Sequence, residues 1–169
     1  PKFVKISKMN LQSNTSAIAS YLHITESDRP ITTLPMSYTY GLSIINSHLY
    51  RGATILLTEA SVMEQTFWDF FKKQQATTFG GVLKFIGFLD MQLPSLKIMT
   101  QAGGKLPVSL QKIFTAYGKS YDRPLIVMYG QTEATARMAY LPWKDAEQKQ
   151  GSIGIAIPGG HFWLKDTSE

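Results

Sequence analysis

The chain has 169 residues, of which 44% are hydrophobic and 12% aromatic, and these values are typical of one folded domain rather than of a disordered segment. It contains no cysteine, which excludes disulfides, a thiol nucleophile and a cysteine-based metal site. The formal net charge is +5, but the cations are scattered and Lys72-Lys73 is the only adjacent pair, so the charge indicates a solvated surface and not a nucleic-acid interface.

The predicted elements alternate between helices and short apolar strands. Helices are predicted over residues 8–22, 42–49, 82–91 and 107–118, and another follows a capping-box pattern at 61–64. Strands are predicted over residues 31–34, 53–57, 77–79, 96–100, 125–129, 136–141 and 160–164. This alternation predicts an α/β fold, a mostly parallel sheet flanked by helices with short strands near the C-terminal end. No apolar run approaches the roughly 18 residues of a membrane span, so no spanning helix is expected.

Apolar spacing predicts which face of each helix points inward. The inward residues are expected to be Leu11, Ala17, Ile18, Tyr21 and Leu22 in the first helix, Met63, Phe67, Phe70 and Phe71 after the capping box, and Leu110, Ile113, Phe114 and Tyr117 after Pro107. Gly118 is expected to end that last helix. The polar stretch 144–150 is interpreted as a surface loop.

The end of the strand predicted at 125–129 combines several kinds of chemistry. Tyr129-Gly130-Gln131-Thr132-Glu133 supplies an aromatic ring, a hydroxyl and a carboxylate where the strand breaks at a glycine. In open α/β sheets, ligands bind beyond the carboxyl ends of the strands. A ring for stacking, a hydroxyl facing phosphate and a carboxylate for a metal ion suit a nucleoside triphosphate. The alternative is a plain strand-to-helix turn in which Thr132 serves as the N-cap.

Five segments of the chain form a recognisable set of motifs. They are Pro1-Lys2-Phe3-Val4, Pro35-Met36-Ser37-Tyr38-Thr39-Tyr40-Gly41-Leu42, Ala102-Gly103-Gly104-Lys105-Leu106-Pro107, Tyr129-Gly130-Gln131-Thr132-Glu133, and Gly151-Ser152-Ile153-Gly154 with Pro158-Gly159. In their order and spacing they resemble one known family, the adenylate-forming superfamily of acyl-CoA synthetases, peptide-synthetase adenylation domains and luciferases.

The resemblance implies roles for individual residues. Tyr129 would stack on adenine, Thr132 would contact the α-phosphate, and Glu133 would ligate Mg²⁺, for which a hard oxygen donor is suitable. Thr132 and Glu133 are the expected catalytic residues. The expected nucleotide-binding set is Lys2, Ala102, Gly103, Gly104, Tyr129, Gly130, Gln131 and Thr132. The residues expected to flank an acyl-substrate pocket are Tyr38, Gly80, Gly81 and Val82.

The reaction implied by the resemblance is ATP-dependent activation of a carboxylic acid to an acyl-adenylate, with transfer of the acyl group to a thiol of coenzyme A or of a carrier-protein pantetheine. ATP and Mg²⁺ are the expected cofactors, and the expected location is cytoplasmic. Two alternatives remain open at this point, a non-catalytic nucleotide-binding module and an interaction domain derived from the same fold. Thr132 and Glu133 argue against the first.

Residues 1–169 are expected to form a single domain that is a fragment of the large AMP-binding domain. In the family, the glycine-rich start of the phosphate loop precedes this region. The ribose-binding aspartate and the small C-terminal domain with its catalytic lysine follow it. The isolated segment is therefore expected not to complete adenylation.

The sequence also departs from the family pattern. Tyr38 and Lys8 replace histidines, Phe3 replaces a glycine, and Leu83 and Ala156 replace prolines. The phosphate-loop and magnesium interpretations are compatible with these changes, whereas the resemblance leaves the identity of the acid open.

Overall fold

A computed structural model describes residues 3–81 and 87–165. The α-helices are α1 (Lys8–Tyr21), α2 (Thr39–Leu49), α3 (Gln65–Lys73) and α4 (Val108–Tyr121). The strands are β1 (Pro30–Thr32), β2 (Leu56–Leu57), β3 (Thr78–Gly81), β4 (Ile98–Gln101), β5 (Leu125–Tyr129), β6 (Ala139–Tyr140) and β7 (Ile155–Ala156). Short 3₁₀ turns occur at Gly87–Asp90, Thr132–Ala134 and Trp143–Asp145.

The described strands form one sheet in the order β2-β1-β3-β4-β5-β6-β7. Neighbouring strands from β2 to β5 are parallel, whereas β6 is antiparallel to β5 and β7 is antiparallel to β6. This confirms the predicted α/β class with a mostly parallel sheet. Because connections between parallel strands place helices on the sheet faces, both faces are covered.

The two faces of the sheet are distinguished by the alternation of residues along β5. Leu125 and Val127 pack toward α3 and α4, whereas Ile126 and Met128 pack toward α1 and α2. The first face is filled largely by aromatic rings. Those buried completely or nearly so are Phe67, Trp68, Phe71, Phe79, Phe88 and Phe114.

Three predicted inward residues are exposed, namely Leu11, Met63 and Ile113. Leu11 lies in the first turn of α1, and burial along this helix begins only at Asn14. Met63 precedes α3, which starts at Gln65. The predicted capping-box contact from the Ser61 amide to Glu64 Oε1 does form, at 3.2 Å, but ahead of the helix.

The inward face of α4 differs from the prediction because a glutamine occupies it. Gln111 is buried, where its Oε1 accepts a hydrogen bond from the Gly151 amide at 3.0 Å.

The prediction that Gly118 ends the helix is wrong. The helix runs on to Tyr121, and Asp122 is its left-handed cap. A Cβ on Gly118 would lie 2.5 Å from the Arg123 carbonyl oxygen and 2.8 Å from the ring of Trp143, so close packing explains the glycine.

The predicted strand at 160–164 is wrong. Residues 161–165 have no regular secondary structure and are exposed, and β6 pairs instead with β7, a few residues earlier in the chain. The strand predicted at 136–141 is shortened to β6, because Ala136 has a left-handed backbone that cannot continue a strand. Of the helix predicted at 82–91, residues 82–86 lie outside the described residues, and Gly87–Asp90 is a 3₁₀ turn.

Candidate functional site

A cleft of about 680 Å³ lies at the carboxyl ends of β4 and β5. Four segments that the sequence singled out line it. They are the start of α2, the turn after β4, the segment after β5, and Gly151, Ser152 and Ile153. The structure therefore brings together, from the residues predicted for a site, Tyr38, Ala102, Gly103, Gly104, Tyr129, Gly130, Gln131, Thr132 and Glu133.

The start of α2 is tied to the segment after β5 by one hydrogen bond. The hydroxyls of Thr39 and Thr132 are 3.0 Å apart, although 93 residues separate them in the chain. Tyr38 is the N-cap residue of α2, and its side chain makes no capping hydrogen bond. Its ring reaches across the cleft toward Gly103. Residues 38 and 39 thus connect two walls of the cleft.

The turn after β4 depends on its two glycines in different ways. Gly103 has a φ of +83°, and a Cβ there would collide with the Tyr38 hydroxyl, so this position requires glycine. A Cβ on Gly104 would meet no atom within 4 Å. Gln101 fixes the turn by donating from Nε2 to the Gly104 carbonyl at 3.0 Å. Gly104 therefore leaves open space that a flat ligand could fill.

Thr132 and Glu133 lie in a turn between β5 and β6 whose backbone is strained. Thr135 and Ala136 both have left-handed backbones, with φ of 59° and 68°. Such residues cost roughly 1–3 kcal/mol each and persist where the surroundings enforce them. The turn presses residue 136 onto Gly130, where any Cβ would collide with the Ala136 carbonyl. This contact explains why the motif needs glycine at 130.

Tyr129 and Glu133 present their side chains at the mouth of the cleft. Tyr129 is 41% exposed and lines the cleft, so its ring is accessible to a ligand. Glu133 is exposed and makes no ion pair within the described part of the chain. In residues 3–81 and 87–165 no group of three or more His, Cys, Asp or Glu side chains is placed to hold a metal ion. A single carboxylate nevertheless fits Mg²⁺, which commonly takes one or two carboxylates together with substrate phosphates.

Sequence reasoning missed Arg137, which also lines the cleft. Only 2% of this residue is exposed. Its Nε donates to Ser43 Oγ at 3.1 Å, and its Nη1 donates to Tyr21 Oη at 3.3 Å. The guanidinium carbon lies 5.2 Å from the centre of the Tyr40 ring. The sequence contains a feature that could have identified Arg137 as a site residue. It is the only charged residue in the predicted strand 136–141, and it lies four positions after Glu133.

The burial around Arg137 changes the acidity of its aromatic neighbours. Burial raises the pKa of Tyr40 to about 12, and the charge of Arg137 opposes that rise only in part. Burial also raises the pKa of Tyr21, again against the charge of Arg137. Both phenols are therefore neutral at physiological pH, and neither balances the charge of the guanidinium.

Four predicted site residues are not part of the cleft as described. Lys2 and Val82 lie outside the described residues. Gly80 is buried, and a Cβ there would meet Ile44 and Thr100, so it faces the interior behind Tyr40. Gly81 is partly exposed at the end of β3 and does not line the cleft.

No helix in residues 3–81 and 87–165 is long and apolar enough to cross a membrane.

Comparison with known proteins places these features in a family context. The family model described as "AMP-binding enzyme" matches residues 1–169. The 2-succinylbenzoate–CoA ligase of Listeria monocytogenes is 27% identical over 161 residues, which are 91% of this chain and 33% of that protein. The chain thus spans about a third of the length of this relative.

Solved structures have the same fold. The inhibitor-bound N-terminal domain of FACL13 from Mycobacterium tuberculosis matches with a TM-score of 0.80 at 22% identity, covering 93% of this chain and 40% of that one. The o-succinylbenzoate coenzyme A synthetase of Bacillus subtilis, in complex with ATP and a magnesium ion, matches with a TM-score of 0.78 at 22% identity. The match covers 91% of this chain and 32% of that one.

Proposed function

The chain belongs to the family of AMP-binding enzymes, and from that membership we propose that it is part of the large domain of an ATP-dependent ligase that activates a carboxylic acid as its acyl-adenylate. In this reaction a carboxylate oxygen attacks the α-phosphorus of ATP, a mixed anhydride with AMP forms, and pyrophosphate leaves. A thiol of coenzyme A or of a carrier protein then takes the acyl group and AMP leaves.

One observation supports the proposal above the others. The Gly103-Gly104 turn, the half-exposed ring of Tyr129, and the side chains of Thr132 and Glu133 all border one cleft. These groups come from the ends of two adjacent parallel strands, β4 and β5. That is the place where open α/β sheets bind nucleotides. A plain strand-to-helix turn would not need to gather all four features.

The nucleotide base would lie between Tyr129 and the glycine turn. The ring of Tyr129 offers an aromatic face, and base–aromatic stacking contributes roughly 1–3 kcal/mol. The open space over Gly104 allows the base to approach the backbone closely. The carbonyl of Gly104, held by Gln101, fixes that surface before the ligand arrives.

The phosphates would lie near Thr132 and Glu133. The bond between Thr39 and Thr132 fixes the Thr132 hydroxyl at the cleft wall, which supports its assignment to the α-phosphate. Glu133 would hold Mg²⁺ through one carboxylate. When bound, this ion neutralises charge that develops on the phosphates. Lys2 remains a proposed contact of the β- and γ-phosphates.

The acid would lie on the side of the cleft bordered by Tyr38 and α2. Tyr38, at the position where the family usually has histidine, contacts the glycine turn and would separate the acid from the base. Gly80, Gly81 and Val82 remain proposed neighbours of this acyl pocket. We further propose that residues 1–169 form one part of a larger domain, because they span only a third of the first relative's length.

The decisive experiment is ATP–pyrophosphate exchange by the full-length protein with a library of carboxylic acids and Mg²⁺. Exchange that requires both an acid and Mg²⁺ is the expected result. A nucleotide-induced rise in melting temperature without exchange for any acid would instead indicate a non-catalytic nucleotide-binding module. Neither exchange nor a thermal shift would indicate an interaction domain.

A further inference from the structure

Arg137 is a fully buried cation whose recorded partners are all neutral. Its Nε and Nη1 donate to Ser43, Tyr21 and Met128, at 3.1, 3.3 and 3.2 Å. The ring of Tyr40 covers the guanidinium carbon. None of the ion pairs in residues 3–81 and 87–165 includes Arg137. A buried charge is costly unless an opposite charge is close.

One edge of the guanidinium has no acceptor. Arginine has five N–H donors, two of them on Nη2. Within the described residues no hydrogen bond from Nη2 is formed, whereas Nε and Nη1 are both engaged. Arg137 lines the cleft. An anion that enters the cleft can therefore supply both the missing charge and the missing acceptor.

Helix α2 shows how deep in the cleft this charge lies. Thr39 and Ser43 are four residues apart, so they occupy the same side of α2 in successive turns. Thr39 contacts Thr132, and Ser43 contacts Arg137. One helical turn rises about 5.4 Å. The guanidinium is thus about 5 Å farther along α2 than the threonine pair at the proposed phosphate position.

The backbone enforces this position at some cost. Thr135 and Ala136, directly before Arg137, are both left-handed, and the Arg137 amide donates to the Thr135 carbonyl at 3.1 Å. The Arg137 carbonyl also accepts from Asn14 Nδ2 at 2.7 Å. Strained backbone and an uncompensated buried charge at the same residue are typical of a functional position rather than of core filling.

We propose that Arg137 binds a second carboxylate of the acid substrate, so that the site selects short dicarboxylic acids. The first carboxylate would react near Thr132, and the second would lie about one helical turn deeper, against the free edge of the guanidinium. This inference rests on the proposed ligase function. A phosphate of ATP is a poorer partner, because the phosphates are assigned one turn nearer the cleft mouth.

The first experiment uses the full-length wild-type protein and matched pairs of acids. Succinate, glutarate and adipate are each compared with their monoamides, which keep the size and one carboxylate but lack the second charge. ATP–pyrophosphate exchange should favour at least one diacid over its monoamide by about 10- to 100-fold in kcat/KM, the scale of a hydrogen bond between charged groups. Equal or better activation of every monoamide would overturn the inference.

The second experiment replaces the guanidinium. Arg137→Met should remove the preference for the diacid while activation of the monoamide continues, and Arg137→Lys should retain part of the preference. The matched control is Arg123→Met, because Arg123 also bonds a tyrosine hydroxyl and stacks on tyrosine rings but does not line the cleft. An unchanged diacid preference in Arg137→Met would overturn the inference.

The outcomes separate the two proposals. Exchange with monocarboxylic acids but with no diacid preference would leave the ligase function intact and refute the role of Arg137. Absence of exchange with every acid would refute the ligase function and this inference with it. If Arg137→Met does not fold, the comparison of diacids with monoamides in the wild-type protein decides.

Discussion

The two faces of the sheet are built from different chemistry. The face covered by α3 and α4 is an array of aromatic rings, in which Phe88 stacks on Trp68 and on Phe114 with centroids 5.5 and 5.7 Å apart. The face covered by α1 and α2 also has an apolar cluster, but it buries polar side chains beside it. These are Asn14, Ser43, Ser47, His48 and Arg137. Packing accounts for most of the first face, although α4 also buries Gln111 and Thr115 there, and it does not account for the second.

The two faces contribute differently to stability and to the cleft. Aromatic packing contributes free energy through burial and preferred ring geometries, and phenylalanine rings need no hydrogen-bond partner. Buried polar groups each need a partner, and within the described residues His48 Nε2, Gln101 Oε1 and Thr115 Oγ1 have none. The cleft lies at the strand ends, and the polar face contributes Arg137 and Tyr40 to its lining. We therefore expect the aromatic face to serve mainly as a support, and the strand ends together with Arg137 to hold the groups that would act on a ligand.

The largest expected effect is on the aromatic face. Phe88→Ala should lower the free energy of unfolding by about 3–5 kcal/mol, because it removes a buried ring that contacts several others and leaves a cavity. Urea unfolding of the full-length protein would measure this. If the two faces have separate roles, the folded fraction should keep its kcat for adenylation. A large fall in kcat under conditions in which Phe88→Ala is fully folded would show that packing on the aromatic face affects the cleft.

A substitution in the cleft that leaves the packing of the core unchanged should have the next largest effect. Glu133→Gln should reduce the rate of ATP–pyrophosphate exchange by about 10²–10³, because a charge-stabilising group at the proposed metal position is lost. The melting temperature should not change, since Glu133 is exposed. Glu147→Gln is a suitable control, because Glu147 is an exposed carboxylate that pairs with Lys119 away from the cleft. Near-normal exchange by Glu133→Gln would remove its metal role.

The same division explains what the sequence could predict. Helical periodicity correctly predicts the aromatic face at Phe67, Phe71 and Phe114. The alternation of elements predicts the order of the α-helices and strands from α1 to β6, apart from the helix expected at 82–91. The clustering of Tyr129 with the Gly103-Gly104 turn also followed, because both come after parallel strands. Local motifs that follow neighbouring strand ends can be read from one sequence.

The missed features depend on contacts between distant residues. The sequence gives no sign that Arg137 meets Ser43, which is 94 positions away. Gly118 is typical of a helix stop in the local sequence. Its actual role is to pack against Trp143, which lies beyond the helix and cannot be recognised as its neighbour from the sequence. The strand expected at 160–164 had the right composition but no neighbour in the described sheet. Composition predicts which residues can form an element, whereas a tertiary partner decides whether they do.

A moderate effect would sharpen the assignment of the base position. Tyr129→Ala should weaken ATP binding by about 1–3 kcal/mol, the usual scale of base–aromatic stacking. Gly104→Val should weaken it as well, because a branched side chain would enter the open space above the turn. Titration of the full-length protein with a non-hydrolysable ATP analogue would measure both. Tyr50→Ala, at an exposed tyrosine outside the cleft lining, should bind normally, and equal losses for Tyr50 and Tyr129 would contradict the assignment.

The smallest effect concerns the buried polar groups themselves and appears in the pH dependence of stability. Burial lowers the pKa of His48 from 6.5 to about 4. The unfolded chain therefore takes up a proton before the folded protein does, and stability should fall as the pH drops from 6.5 toward about 4. Lowering the pH from about 7 to about 5.5 should reduce the free energy of unfolding by about 1 kcal/mol through this residue. Urea titration at both pH values would measure this. His48→Gln should flatten this slope, whereas His161→Gln, at an exposed histidine, should leave it unchanged. Equal slopes in the wild type and His48→Gln would show that the polar face tolerates a charge at His48, and the contrast between the two faces would then be limited to the cleft.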